Sequence, residues 1–168
     1  MKRSVSRLLA ILLSFLFVFQ TGLTAFADDN EPDWQDVTLT QEEFDSIIAQ
    51  NLNSQPSTYA SGLIVAYAIG LSASGTTLKI AGKTFCAPDV VKCGFKIVTI
   101  QRRKSSSTSW TTYKTYEDLY NDNAAYVLAK SITVPTGYQY RVTCTHYAKK
   151  SIFSTEKISN TSNVLAIG

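Results

Sequence analysis

The residues best suited to nucleophilic or acid–base chemistry are three cysteines and a single histidine. Cys144 and His146 lie two residues apart in an alternating segment, so their side chains share one face of a strand. A Cys–His pair is the minimal nucleophile–base arrangement, but side chains at this spacing are about 7 Å apart at the Cβ level, which we judge too far for a direct hydrogen bond. We therefore interpret them as a core cysteine and a strand-end histidine, and we predict no catalytic residue.

The cysteines also bear on disulfide chemistry. Cys86, Cys93 and Cys144 make an odd number, so at least one thiol is left over or pairs with another molecule. A Cys86–Cys93 disulfide closes a short loop at the smaller entropic cost and is the favoured pair, with an expected stabilisation of about 2–3 kcal/mol. A Cys93–Cys144 disulfide between neighbouring strands is the alternative, and three buried free thiols are a third interpretation.

Other catalytic and metal-binding patterns are missing from the sequence. It has no CxxC or HExxH motif and no clustered His, Cys, Asp and Glu, so no metal site is predicted. The polar segment 117–123 matches no established calcium-ligand spacing. No glycine-rich phosphate loop is present, and no pair of facing carboxylates for glycoside hydrolysis can be nominated. We predict no cofactor.

Basic and aromatic residues predict a binding surface instead. Exposed Tyr or Trp can stack on sugar rings, and Arg is enriched at interfaces. Two basic clusters flank predicted loops, and we expect them to form one basic end of the domain. The candidate binding residues are Arg102, Arg103, Lys104, Trp110, Lys149 and Lys150. The alternative is ordinary strand composition with solubilising surface charge.

Charge is distributed unevenly along the chain. Segment 28–45 carries eight acids and no base, whereas the residues after it carry 13 bases and 5 acids, a balance of +8. An acidic lead-in on a basic body favours anionic partners. The expected partner is an anionic cell-envelope polymer, a glycan or another protein, and nucleic acid is disfavoured by the compartment that the N-terminus predicts.

The N-terminus has the pattern of a secretory signal peptide. Basic residues among the first seven positions precede an apolar run at 8–19, and Ala25 and Ala27 form an A-x-A site. The run is short for a bilayer span, so we predict cleavage after Ala27 and a secreted chain of 141 residues. No wall-sorting or lipobox motif follows, so no stable membrane anchor is expected after cleavage.

Two hydrophobic periods predict the elements. Segment 28–60 is predicted to be an acidic linker that begins as a flexible lead-in (28–37) and contains a helix at 41–50, where Thr40 and Glu43 have capping-box spacing. Across 61–168, apolar residues alternate and turns recur about every dozen residues. Seven strands are predicted, at 63–71, 78–85, 95–103, 110–116, 125–134, 138–147 and 163–167. These features predict one all-β sandwich domain.

The segment Pro135–Val142 (PTGYQYRV) resembles the E–F corner of fibronectin type III-like modules. The resemblance implies an immunoglobulin or fibronectin type III-like sandwich in which Tyr140 is the structural tyrosine corner, with Tyr138 as the runner-up. Trp110 after a serine-rich loop fits the same scheme, but the usual core Trp of the second strand is missing around 78–85.

Residues 60–167 also resemble a family of small secreted proteins of Gram-positive bacteria whose function is unknown. The matching segments are Gly75–Ile80, Cys93–Lys104, the Trp110 strand and Tyr138–Tyr147. This resemblance implies fold and compartment but no activity.

Together these features predict a secreted, non-catalytic binding or interaction module. One alternative is a bacteriocin- or toxin-like sandwich that acts on competitor membranes. The other is a small hydrolase that would depend on Cys144 and His146.

Overall fold

Alternating apolar and polar residues form strands along most of the described chain. The computed structural model describes residues 33–51 and 62–168; the predicted signal peptide, its cleavage site at Ala27 and parts of the linker lie outside the described residues. One helix, α1, spans Gln41–Ala49 within them. The strands are β1 (Gln35–Asp36), β2 (Ile64–Ser74), β3 (Thr77–Cys86), β4 (Lys92–Lys104), β5 (Thr111–Asn121), β6 (Ala125–Thr133), β7 (Tyr138–Ser151), β8 (Ser154–Thr161) and β9 (Leu165–Ile167).

The strands form two antiparallel sheets. In the first sheet β1, β6, β3 and β2 are hydrogen-bonded in that order. The second sheet has the order β5, β4, β7, β8, and β9 pairs with the start of β7. The predicted all-β architecture with a short N-terminal helix is confirmed at this level.

The two sheets bury a common apolar core. Leu78 and Ile80 of β3 contribute to it from the first sheet, and Val98 and Ile100 of β4 contribute from the second; all four side chains are fully buried. Burial of each such side chain stabilises the fold by about 1.5–3 kcal/mol. Because side chains alternate along a strand, the residues between these face outward, and each sheet has an outer face.

Helix α1 covers the outer face of the first sheet. Its first turn is fixed by the capping box, in which the Glu43 N–H donates to the Thr40 hydroxyl and the Thr40 N–H donates to the Glu43 carboxylate. Ile47 is buried against Ala81, and a Cβ added at Gly70 would lie 2.3 Å from the Ile47 carbonyl oxygen. The predicted helix is confirmed, and small residues on β2 and β3 permit its close approach.

The segment that precedes α1 packs on the domain, so the predicted flexible lead-in is wrong for the part of it that is described. Trp34 stacks on Tyr116 of β5, with ring centroids 3.5 Å apart, and the Tyr116 hydroxyl donates to the Asp33 carboxylate at 2.6 Å. Lys130 of β6 lies 5.3 Å from the Trp34 ring and donates to Asp36. Trp34 therefore connects β5, at the edge of the second sheet, with the β1–β6 side of the first sheet.

Strands β4 and β5 differ from the prediction in their regularity. Strand β4 has apolar residues on both faces, lies in the centre of its sheet and has a register shift between Phe95 and Ile97. The fourth strand, predicted to end at residue 116, continues as β5 to Asn121. An irregularity there, Asp118 at a φ of +57°, breaks the alternation that would have indicated a strand.

Strand β8 was not predicted at all. Its sequence STEKISNT contains one apolar residue, Ile158, so no alternation marks it. It is an edge strand that forms by pairing with β7, which extends to Ser151.

Candidate binding face of the second sheet

The outer face of the second sheet is the broad surface that α1 leaves uncovered among the described elements. Its central strands, β4 and β7, pair Arg103 with Gln139 and Gln101 with Arg141. Paired residues lie on the same side of a sheet, so these four polar side chains form two adjoining rows. We call this group, together with Trp110, the basic face.

Trp110 is in cation–π contact with both arginine side chains of the basic face. The guanidinium carbon of Arg103 lies 4.5 Å from the indole centroid and that of Arg141 lies 4.3 Å from it. The position follows from the β4–β5 pairing, because Thr111 pairs with Arg102 and the preceding Trp110 therefore lies beside Arg103. Cation–π contacts of this kind contribute about 0.5–2 kcal/mol each.

Two hydrogen bonds orient the guanidinium groups. Arg103 Nε donates to Gln139 Oε1 at 2.8 Å, and Arg141 Nε donates to Gln101 Oε1 at 2.8 Å. A guanidinium has five N–H donors, and one is used in each of these bonds. The acceptors are neutral amides, so the two positive charges are fixed in place without being neutralised.

The local electrostatics indicate uncompensated positive charge. Burial and the neighbouring Arg103 lower the pKa of the Arg141 guanidinium. The ion pairs found among the described residues all use lysines, and neither Arg103 nor Arg141 takes part in one. Two like charges held side by side without a carboxylate favour an anionic ligand.

Positive charge continues along the same face of the second sheet. Lys149 lies on the face of β7 that carries Arg141, Lys92 pairs with Lys149, and Lys157 pairs with the outward-facing Tyr147. Glu117, which pairs with Ile97, is an acid at the β5 side of this face. Positive charge therefore predominates along the face.

A shallow cavity of about 310 Å³ adjoins the basic face at the β4–β5 loop. Its walls combine cationic side chains with hydroxyl groups. The residues that line it are Arg102, Arg103, Lys104, Ser106, Ser107, Ser109, Thr111 and Tyr138. The predicted cluster at 102–104 thus lies beside Trp110, as a binding surface requires.

Arg102 differs from its two neighbours in orientation. Its guanidinium carbon lies 4.7 Å from the Tyr113 ring and 5.0 Å from the Tyr138 ring, and Tyr113 belongs to the core. Alternation along β4 turns Arg102 to the inner side of the sheet and Arg103 to the outer side. Arg102 therefore caps the end of the core, and Arg103 is the member of the cluster that faces the Trp110 site.

The single basic end predicted from the sequence is wrong. In the antiparallel β4–β7 pair, Lys149 is opposite Lys92 at the start of β4, whereas Arg103 is near its end. Eleven residues of strand separate these positions, which is roughly 35 Å. Lys149 and Lys150 therefore lie at the opposite end of the domain from Arg102, Arg103 and Lys104.

Tyr140 has the geometry expected of a tyrosine corner. Its side chain is fully buried in the core, and its hydroxyl donates to the Pro135 carbonyl oxygen at 2.7 Å. Burial raises the pKa of Tyr140 to about 12. The hydrogen bond ties the β6–β7 turn to the core beside the basic face.

The cysteines are present as free thiols. Cys86 and Cys93 are buried in one small cluster, and the interaction between them lowers the pKa of Cys93 and, with burial, raises that of Cys86. The Cys86–Cys93 disulfide stays a prediction. The alternative with Cys144 is wrong, because Cys93 pairs with Ala148, roughly 13 Å along β7 from Cys144, and a disulfide tolerates at most about 7 Å between Cα atoms.

Oxidation of the folded protein is expected to join Cys86 to Cys93 and leave one free thiol. The free energy of unfolding should rise by about 2–3 kcal/mol, because the cross-link restricts the unfolded chain. Peptide mapping, thiol titration and urea unfolding with and without reductant measure this, and Cys86→Ser should abolish the gain. A cross-link that includes Cys144, or no cross-link, would contradict the assignment.

Cys144 and His146 are closer than their spacing predicted. Cys144 Sγ lies 3.4 Å from His146 Nε2, and Thr84 Oγ1 lies 2.7 Å from His146 Nδ1. Thr84 Oγ1 donates to the Gly94 carbonyl, so it accepts from Nδ1–H, and Nε2 is left to accept from the thiol. Two inferences about this pair are wrong, the exclusion of a direct hydrogen bond and the strand-end position of the histidine, because the side chains lean together inside the core.

Burial keeps this Cys–His pair neutral. It lowers the pKa of His146 to about 3 and raises the pKa of Cys144. A nucleophilic cysteine needs a thiolate and some access to solvent, and both side chains are shielded from solvent. The arrangement favours a polar link within the core over covalent catalysis.

Neither a metal site, a membrane-spanning helix nor a match to a known protein indicates the function within the described residues. Within residues 33–51 and 62–168, no three His, Cys, Asp or Glu side chains are grouped closely enough to hold a metal ion. The helix in that part of the chain is not long and apolar enough to cross a bilayer. No family model, curated protein or solved structure matches the chain.

Sequence reasoning missed three members of the basic face, Gln101, Gln139 and Arg141. A signal was present, because the segment Gln-x-Arg occurs at both 101–103 and 139–141. Two such segments on antiparallel neighbours place each glutamine opposite an arginine. The pattern becomes informative only when β4 and β7 are known to pair.

Proposed function

We propose that this protein is a non-catalytic binding module whose basic face takes an anionic polymer of the cell envelope. The observation that carries the proposal is the pair of guanidinium groups fixed on Trp110 without a described carboxylate partner. Arginine forms bidentate, charge-assisted hydrogen bonds with phosphate and carboxylate groups. The serine-lined cavity beside it supplies further hydrogen-bond donors.

An anionic ligand fits the site better than a neutral sugar. A neutral sugar would need a free aromatic face on which to stack. Both guanidinium groups lie over the Trp110 ring, so the indole acts as a support for the cations.

The fold we propose for the domain is of the fibronectin type III kind. Support comes from the strand order. Three adjacent antiparallel strands, β2, β3 and β6, lie in one sheet, and β5, β4, β7 and β8 lie in that order in the other. The Tyr140–Pro135 hydrogen bond at the corner before β7 agrees with this scheme. Modules of this kind commonly present binding surfaces on their exposed faces and loops.

Export completes the proposal. The signal-peptide pattern at 1–27 supports secretion, and the resemblance to secreted Gram-positive proteins favours an envelope polymer as the ligand. In the cell envelope the basic face would be exposed to phosphate-rich or carboxylate-rich polymers.

The proposal predicts that Arg103→Gln with Arg141→Gln weakens binding to isolated Gram-positive cell walls at least about tenfold, because two charge-assisted contacts are lost. Co-sedimentation at low salt measures the affinity. Lys79→Gln with Lys83→Gln is the matched control, since it removes the same charge from the outer face of the first sheet. Equal loss of affinity in both double variants would mean that binding depends only on net charge. No loss of affinity in the arginine variant would exclude the basic face as the binding site.

A further inference from the structure

The β7–β8 hairpin ends in two exposed apolar residues. Ile152 and Phe153 form its turn, between Ser151 and Ser154, and their exposed fractions are 75% and 94%. Tight turns are normally made of Gly, Asn, Asp, Ser or Pro. An Ile-Phe turn breaks this local rule without gaining burial, and such violations concentrate at functional sites. We call these two residues the hairpin tip.

The surroundings of the hairpin tip are apolar at the apex and cationic behind it. Val91 is 52% exposed, and its N–H donates to the Lys149 carbonyl, so a third apolar side chain lies next to the hairpin. Lys149 and Lys150 lie just before Ser151 and the turn, where the register of β7 against β8 shifts between Lys149 and Ser151. Two cationic side chains therefore lie behind the tip, and Lys150 also pairs with Asp89 on the surface.

We propose that the hairpin tip inserts into the surface of an anionic lipid bilayer. Ile152 and Phe153 project at a convex apex, where they can enter the acyl boundary while the sandwich stays outside. The lysines behind them can extend their ammonium groups to anionic headgroups. An apolar convex apex with lysines directly behind it suits a planar anionic surface that is entered end-on.

This site is separate from the basic face. Lys149 lies at the opposite end of β4 and β7 from Arg103, so the two surfaces can be occupied independently. The contact is peripheral, since two apolar side chains and flanking lysines give reversible attachment.

Sedimentation with vesicles of equal parts phosphatidylglycerol and phosphatidylcholine tests the proposal. The wild-type protein should bind these vesicles and bind pure phosphatidylcholine vesicles less well. Ile152→Ser with Phe153→Ser should weaken binding at least about tenfold, because the inserting apolar surface is lost. The matched control is Val127→Ser, which removes a 57% exposed apolar side chain from β6 and should bind as wild type does.

A fluorescence measurement reads insertion directly. In Phe153→Trp, vesicles should shift the emission to shorter wavelength and brominated lipid should quench it, beyond the change seen in the wild-type protein. Wall binding should survive the serine variants, and vesicle binding should survive the Arg103 and Arg141 variants. Absence of vesicle binding, or equal loss in the Val127 control, would overturn the proposal and leave the basic-face proposal untouched.

Discussion

Lowering the pH from 7 to 5 is expected to reduce the free energy of unfolding by about 2 kcal/mol through one residue, His146. In the unfolded chain an imidazole binds a proton as the pH falls through about 6.5. In the folded protein burial lowers the pKa of His146 to about 3, so the ring stays neutral. In this pH range the imidazole therefore binds a proton in the unfolded state but not in the folded state. The contribution of His146 to the free energy of unfolding is complete above pH 6.5 and is lost progressively as the pH falls to 3.

The single histidine makes this slope readable. The carboxylates of Asp33, Asp89 and Asp118 have lowered pKa values because of their hydrogen-bond partners, so they titrate below the range from pH 7 to pH 5. Urea unfolding at several pH values measures the slope. His146→Gln should be less stable than the wild-type protein at pH 7. Its own free energy of unfolding should be the same at pH 5 as at pH 7, because the glutamine side chain does not titrate. A flat wild-type profile would contradict a neutral, buried imidazole.

Gly94→Ala is expected to reduce the free energy of unfolding by about 3–5 kcal/mol. A Cβ at this position would lie 2.2 Å from the Leu119 carbonyl oxygen and 2.6 Å from the Tyr120 Cα. Both are backbone atoms of the paired strand β5, so they cannot move without breaking the β4–β5 ladder. The φ of Gly94 is +154°, which adds backbone strain for any residue with a side chain.

Gly75→Ala separates the effect of the steric clash at Gly94 from the effect of its positive φ. Gly75 also has a positive φ, +58°, but no atom lies within 4 Å of its added Cβ, so its replacement should cost about 1 kcal/mol. Urea unfolding of the two variants gives the difference. Equal costs would mean that β5 does not approach β4 as closely as the structure places it, and the support for Trp110 would then need revision.

Local signals predicted the parts of the fold that depend on neighbouring residues. The start of α1 was predictable because Thr40 and Glu43 form their capping box within one turn. The strands of the core were predictable because burial on one side imposes alternation. The β8 edge was not, since its polar sequence gains its structure from pairing with β7.

The candidate site depends on long-range register, so only two of the five residues of the basic face were identified from the sequence. Arg103 and Trp110 were identified from composition, but Arg141 joins them through the pairing of β4 with β7. The same register separates Lys149 from Arg103, which the order of residues along the chain could not indicate. The contact between Cys144 and His146 was likewise missed, because side-chain orientation brings the two together across a spacing that looked too long.

The most direct test of the basic face uses its tryptophan. The chain has two tryptophans, and they occupy different surfaces: Trp110 carries Arg103 and Arg141, whereas Trp34 stacks on Tyr116 at the edge between the sheets. Their indole N–H groups give two signals in a proton–nitrogen correlation spectrum. Titration with a soluble phosphodiester-linked wall polymer should move the Trp110 signal and leave the Trp34 signal in place. Movement of neither signal, or of Trp34 alone, would contradict the basic face as the binding site.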